Sequence, residues 1–324
     1  MPSHFATVWL LAAMNAIAMC GVPMTMLAGS IVGAELAPSE RWATLPIAMM
    51  VVGTALGVVP AARGMQRFGR RLTFGLFIVL GSAALLLAGE ALGLGSFWLF
   101  CLATALLGGT AAAMQQIRFA AMEAVDLERA PTAASIIMFA GIGAALIGPE
   151  LAVAGRQLTA VEYQGSYRLG AALVLASGLL LLFYRPAPLS GHGHDRTGRN
   201  SAQLLRSPAI LLAVVSGASA FMVMSFVMTA TPISMHLHHG HSLDDTKWVI
   251  QSHIAAMFLP SLLTAWLFRL IGIRGLMWAG LGCYVATITI GLVDASVLGF
   301  WGQLVMLGIG WNFLFVSGTA LLPM

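Results

Sequence analysis

The chain has 324 residues, 59% of them hydrophobic and only 9% charged, with a formal net charge of +4 and a mean hydropathy of +0.90. Soluble domains carry about 25% charged residues, so a water-soluble globule is excluded. An open sheet in lipid is excluded too, because its unpaired backbone groups would find no water. The positive charge is no nucleic-acid signature, since the arginines sit in turns that flank apolar runs.

A bilayer core about 30 Å thick needs about 20 apolar residues per helix. Ten runs of that kind follow one another: residues 7–32, 43–62, 72–92, 97–117, 132–153, 165–184, 210–233, 246–268, 275–293 and 297–318. The first has no basic leader and outlasts a signal-peptide core, so it reads as a span rather than a cleaved segment. The fold class expected is an all-α polytopic membrane protein.

The turn after the second run is the most charged stretch. Arg63, Arg67, Arg70 and Arg71 crowd around Gly69, and Phe268 to Arg274 repeats the pattern in shorter form around Gly272. Basic residues favour cytoplasmic loops. Twelve of the 16 basic residues fall in this set of turns, against Arg41, Arg156, Arg168 and Lys247 in the opposite set. That bias places the N-terminus and, with an even span count, the C-terminus in the cytoplasm. The longest polar stretch, 185–207, divides the chain into an N-terminal six-helix bundle (1–184) and a C-terminal bundle of four helices (208–324). Two matched halves joined by a flexible linker are a transporter pattern.

Polar and ionisable groups inside a membrane are expensive and mark candidate sites. His253 lies about seven residues into the eighth run, roughly 10 Å deep at 1.5 Å per residue. Histidine titrates near neutral pH, which suits proton coupling. Its alternative is a core histidine bonded to a neighbouring helix. Glu150 follows Gly148-Pro149 in the fifth run. It is expected to pair with His253 near the outer side, or else to reach interfacial water. Arg118, close to Glu123, Asp126, Glu128 and Arg129, reads as a solvated charge cluster or an inner gate.

His236, His238, His239 and His241 can together capture a transition metal, but no deep ligand accompanies them and no metal is assigned. Cys20, Cys101 and Cys283 lie inside apolar runs and read as packing residues. No phosphate loop, catalytic triad or cofactor box is present, so neither an enzyme nor a cofactor is expected.

The arginine turn carries a resemblance. Arg67, Gly69, Arg70 and Arg71 match in register the cytoplasmic motif Gly-x-x-x-Asp-Arg-x-Gly-Arg-Arg of the major facilitator superfamily, with Ala62 and Gln66 at the first Gly and the Asp. Ala43-Thr44-Leu45-Pro46, Gln115 to Ala121, Met228 to Pro232, and Val249 to His253 with Met257 to Ser261 resemble a subgroup of its bacterial members. The resemblance implies a two-bundle fold, here with about 10 of the usual 12 helices, as in a chain truncated after the tenth. It also implies that helices 1, 4, 7 and 10 line a cavity. Asn15, Gln115, Thr229, Trp311 and Asn312 are then substrate-binding candidates, with Gln251 on helix 8. For each of them helix–helix hydrogen bonding is the competing role.

The function implied is secondary active transport of a small organic solute across a bacterial inner membrane, by alternating access and coupled to H⁺. The protein is expected as a monomer in the lipid bilayer, with no nucleic-acid partner. The alternative is a non-transporting membrane protein, either a solute sensor or an inactive truncated transporter.

Overall fold

The computed structural model describes residues 4–186 and 207–321, and the expected linker lies almost wholly outside them. The described residues form helices without a strand: α1 (His4–Ala18), α2 (Gly21–Leu36), α3 (Leu45–Gly93), α4 (Phe97–Met114), α5 (Ile117–Glu123), α6 (Ala130–Gly155), α7 (Gln164–Ser177), α8 (Pro208–Pro232), α9 (Leu243–Phe258), α10 (Thr264–Val293) and α11 (Val297–Ala320). Among the described residues, eight helical stretches are long and apolar enough to cross a membrane.

Local chemistry explains where these helices break. Pro23 has no amide hydrogen to give the turn before it, and the chain tightens between α1 and α2. There Cys20 N–H reaches Ile17 C=O and Val22 N–H reaches Met19 C=O. In α3 the break is Gly69 (φ 78°, ψ 165°), and in α10 it is Gly272 (φ 68°, ψ 174°). Both lie in a backbone region that is essentially open to glycine alone. After Phe258 the helix tightens into a 3-10 turn, Leu259–Leu262, around Pro260.

The chain forms two compact units. One holds the described part of Met1–Ala187 together with Thr229–Gln251; the other holds the described part of Pro188–Met228 with Ser252–Met324. In the first unit α3 folds at Gly69 and lies against α4 and α7, while α6 packs on α1 and α2. In lipid, association of helices rests on close packing rather than on water release. The α3–α4 seam is correspondingly tight: a Cβ added to Gly53 would stand 1.9 Å from the Ala105 carbonyl oxygen, and one on Gly108 would stand 2.0 Å from that of Met50. Gly148 of α6 meets the α1–α2 break in the same way, with its missing Cβ 2.4 Å from the Cys20 oxygen.

Hydroxyl and amide side chains add bonds across these seams. Ser82 donates to Ala171 C=O (2.9 Å), Thr110 to Phe77 C=O (3.1 Å) and Gln164 to Gly89 C=O (3.1 Å). In the second unit α10 packs on α11. Ser216 of α8 donates to Leu314 C=O of α11 and Tyr284 of α10 to Ala220 C=O of α8, each at 2.8 Å.

Large apolar side chains such as Leu56, Leu76, Phe226, Trp278 and Val285 are exposed, a distribution that suits helices surrounded by lipid. Trp42 and Trp98 meet edge to face at 5.9 Å beside Arg41. Tryptophan at the end of a span is the usual occupant of the membrane–water boundary.

Candidate functional site

The charged side chains of the first unit gather at its two ends, and a second group of polar residues is buried inside the second unit. At the Gly69 end, Arg70 makes a two-point bond with Glu123 of α5, Nε to Oε2 at 2.7 Å and Nη2 to Oε1 at 2.5 Å. Arg71 donates to Leu182 C=O at 3.5 Å, and the Arg67 guanidinium lies 5.3 Å from the Phe68 ring centroid. Gln66 stands where the resembled motif has a carboxylate, and here the carboxylate for this turn comes from Glu123, across 53 residues. The planar fork of arginine matches a carboxylate in this way and lysine does not.

Arg118 starts in the same region, half-buried in α5. Its guanidinium lies 4.8 Å from the Phe119 ring, and its Nε has no hydrogen-bond partner among the described residues. Gln115 is exposed at the end of α4. Asn15 is buried in the last turn of α1.

The opposite end of the first unit gathers its other charges. Glu150 of α6 is held by Lys247 of α9 at 3.1 Å and accepts from Gln251 Nε2 at 3.3 Å. Gln251 also donates to Leu146 C=O at 3.1 Å, and Lys247 pairs with Asp244 at 3.0 Å. Glu150 therefore has two partners the sequence reading did not pair with it. Lys247, read from sequence only as a topology marker, is the principal one.

Beyond α6, Arg156 pairs with Glu162 and lies 5.5 Å from the Tyr163 ring. Burial tends to lower the Arg156 pKa, but the Glu162 hydrogen bond and nearby acidic groups raise it overall. Burial pushes the Tyr163 phenol up to about 12, against the pull of Arg156. Tyr163 is the one described non-glycine residue at positive φ (61°), and its hydroxyl is buried without a partner among the described residues.

His236, His238, His239 and His241 occupy the turn after α8, part of it π-helical over Ile233–His238. The His239 and His241 rings stack at 6.2 Å, and the described residues bring no three metal-binding side chains together. Thr229, also in this unit, is buried.

The second unit holds His253, Trp311 and Asn312, all buried. His253 Nδ1 lies 2.8 Å from Leu304 C=O. A carbonyl can only accept, so Nδ1 carries the hydrogen and a neutral ring leaves a lone pair on Nε2. That Nε2 has no partner among the described residues. Asn312 donates to Met257 C=O (2.7 Å) and Ser261 Oγ (2.6 Å), and its Oδ1 is left over. Trp311 stacks on Phe315 at 4.9 Å, and Phe221 of α8 stands edge-on to both. The spacing of Trp311 and Phe315, one helical turn, is visible in sequence. The arrival of Phe221 is not.

Comparison with known proteins bears on this arrangement. The family model described as "Major Facilitator Superfamily" matches residues 8–323. The riboflavin transporter RfnT of Brucella anthropi is 38% identical over 92% of this chain and 76% of its own length. The MFS-type transporter YddS of Bacillus subtilis is 30% identical over 93% of this chain and 73% of its own.

Among solved structures, a bacterial homologue of the human lysosomal transporter Spinster, inward-facing and unoccupied, superposes with a TM-score of 0.73 at 15% identity, covering 99% of this chain and 75% of that one. A D-xylose–proton symporter gives 0.67 at 14% identity, over 99% and 86%. At such identities these two speak for the fold alone. Bilayer-length helices, the glycine-broken arginine turn and a family match across nearly the whole chain agree: this chain belongs to the major facilitator superfamily of membrane transporters.

Proposed function

We propose that the chain moves a small, flat, hydrogen-bonding solute of the riboflavin class across a bacterial inner membrane. The observation that carries this reading is the 38% identity to a riboflavin transporter over 92% of the chain. The residue types available suit such a solute. Asn15, Gln115, Thr229, Gln251 and Asn312 are neutral hydrogen-bonding side chains that match a polyhydroxyl tail, and Trp311 with its aromatic neighbours offers a ring environment for a planar solute.

The mechanism is alternating access by two matched bundles, 1–184 and 208–324, with the Arg63–Arg71 turn and the N-terminus in the cytoplasm. We count ten spans: α3 crosses twice, once on each side of Gly69, and α9 continues through the Pro260 turn into the first arm of α10. Glu150, held by Lys247 and Gln251, closes the outer end. His253 takes up the coupling proton on Nε2, the atom its Leu304 bond leaves open. Glu123 completes the inner arginine turn in place of the missing aspartate.

The test is genetic rescue. The 324-residue chain is expressed in a bacterium that can neither make nor import riboflavin. Growth at low micromolar riboflavin, with the protein present in the membrane fraction, is the expected result. Membrane-localised protein without growth at any riboflavin level that a control importer supports would overturn the reading. Tight flavin binding without uptake would support the sensor instead.

A further inference from the structure

The geometry points to a stacking subsite for a planar heteroaromatic ring inside the second unit, built by Phe221, Trp311 and Phe315, with the Trp311 indole N–H as its polar anchor. The inference rests on the flavin-class reading above and names which side chains would recognise the ring.

Three observations carry it. The rings form an organised cluster: Trp311 and Phe315 are nearly parallel (11°) at 4.9 Å, Phe221 is edge-on to each (87°) at 5.3 and 5.7 Å, and Phe258 flanks Trp311 at 6.3 Å. Second, Trp311 is only 4% exposed, yet its Nε1 has no hydrogen-bond partner among the described residues. Tryptophan can only donate, and a buried donor left unmade is costly, so such an atom signals an absent acceptor.

Third, the cluster has a rim. Phe221 is 41% exposed while the ring it covers is buried, so rotation of one phenylalanine opens a face of the stack. The ligand that fits is flat and electron-poor, stacks on a phenylalanine face beside the indole, and carries in its plane a carbonyl or ring-nitrogen acceptor for the Trp311 N–H, which points out of the indole edge. The dione edge of an isoalloxazine or pteridine meets these requirements. A sugar, having no π-face, does not.

The experiment is a titration of the purified full chain in lipid nanodiscs with riboflavin and, separately, with lumichrome, which keeps the rings and lacks the ribityl tail. Flavin fluorescence is the readout, because close contact with indole quenches it. Wild-type protein is expected to bind both with strong quenching. Trp311→Phe keeps a ring and removes the donor, and is expected to weaken both ligands roughly tenfold, the scale of one lost buried hydrogen bond. Phe221→Leu is expected to weaken them several-fold and to reduce quenching, while Trp278→Phe, at an exposed position, leaves binding unchanged.

Riboflavin bound equally well by wild type, Trp311→Phe and Phe221→Leu would overturn the subsite and leave the flavin reading standing. Failure of the wild type to bind riboflavin while it still binds lumichrome through Trp311 would overturn the flavin reading and keep the subsite. Binding of neither would overturn both.

Discussion

The Gly69 and Gly272 turns have nearly the same backbone and very different surroundings. Both glycines hold φ near 70° with an extended ψ, and both join helical arms that would otherwise run on as one rod. Yet Arg70 at the first turn is locked to Glu123, whereas among the described residues neither Arg269 nor Arg274 at the second forms an ion pair. The difference separates two jobs. Glycine sets the path of the chain, and arginine pairing, present at the first turn and absent at the second among the described residues, fastens that turn to its neighbours.

The two turns' arms are expected to differ most. The first arm of α3 lies on α4 with backbone against backbone at Gly53, whereas on α10 the Cβ missing from Gly280 would meet the Leu314 side chain at 2.9 Å. Gly53→Ala is therefore expected to cost about 3 kcal/mol or more by overpacking. Gly280→Ala costs less, because the nearest backbone atom there, the Gly310 carbonyl oxygen, would stand 3.2 Å away rather than 1.9 Å. Urea-dependent loss of helicity in detergent measures both, and equal losses would mean the two seams are equally tight.

Next come the turns themselves. Gly69→Ala and Gly272→Ala are each expected to lose about 1–3 kcal/mol, the strain of a non-glycine residue in that backbone region, and by similar amounts. A loss confined to one of them would show that the shared geometry is not what either glycine is there for.

The charge chemistry should then distinguish them. A double-mutant cycle of Arg70→Ala and Glu123→Ala is expected to give a coupling of about 0.5–1 kcal/mol, because Glu123 is half-exposed and screened by solvent. Arg274→Ala is expected to stay within about 0.5 kcal/mol of wild type, as for surface changes that break no partner.

The smallest effect is a pH dependence at the opposite end of the first unit. Burial raises the Tyr163 phenol to about 12. The group favours its neutral form in the fold, so its contribution is complete below the ordinary tyrosine value of about 10 and is lost as pH rises towards 12. Thermal midpoints should fall less steeply between pH 10 and 12 in Tyr163→Phe than in wild type, and parallel slopes would contradict that assignment.

Composition and period were enough to read a helical membrane protein, because lipid permits little else. The glycine turns were legible for the same kind of reason: one residue type and a charge cluster carry them. The structure departs from the ten runs where backbone chemistry intervenes, at Pro260, which interrupts the eighth run, and at Gly69, across which two runs join as one kinked helix. Pairings were hidden because they are settled by packing between distant segments. Glu150 meets Lys247 across 97 residues, and Phe221 reaches Trp311 from another helix. His253 could be singled out as a buried titratable group, but the carbonyl that fixes its tautomer belongs to a neighbouring helix and leaves no mark in the sequence around it.

Transport itself is measured as riboflavin flux into sealed liposomes containing only this chain, with an inward proton gradient imposed. Saturable accumulation above that in protein-free liposomes, released when the membrane is permeabilised, is the predicted result. Riboflavin content equal to that of protein-free liposomes in either membrane orientation, from protein shown to be folded, would contradict it.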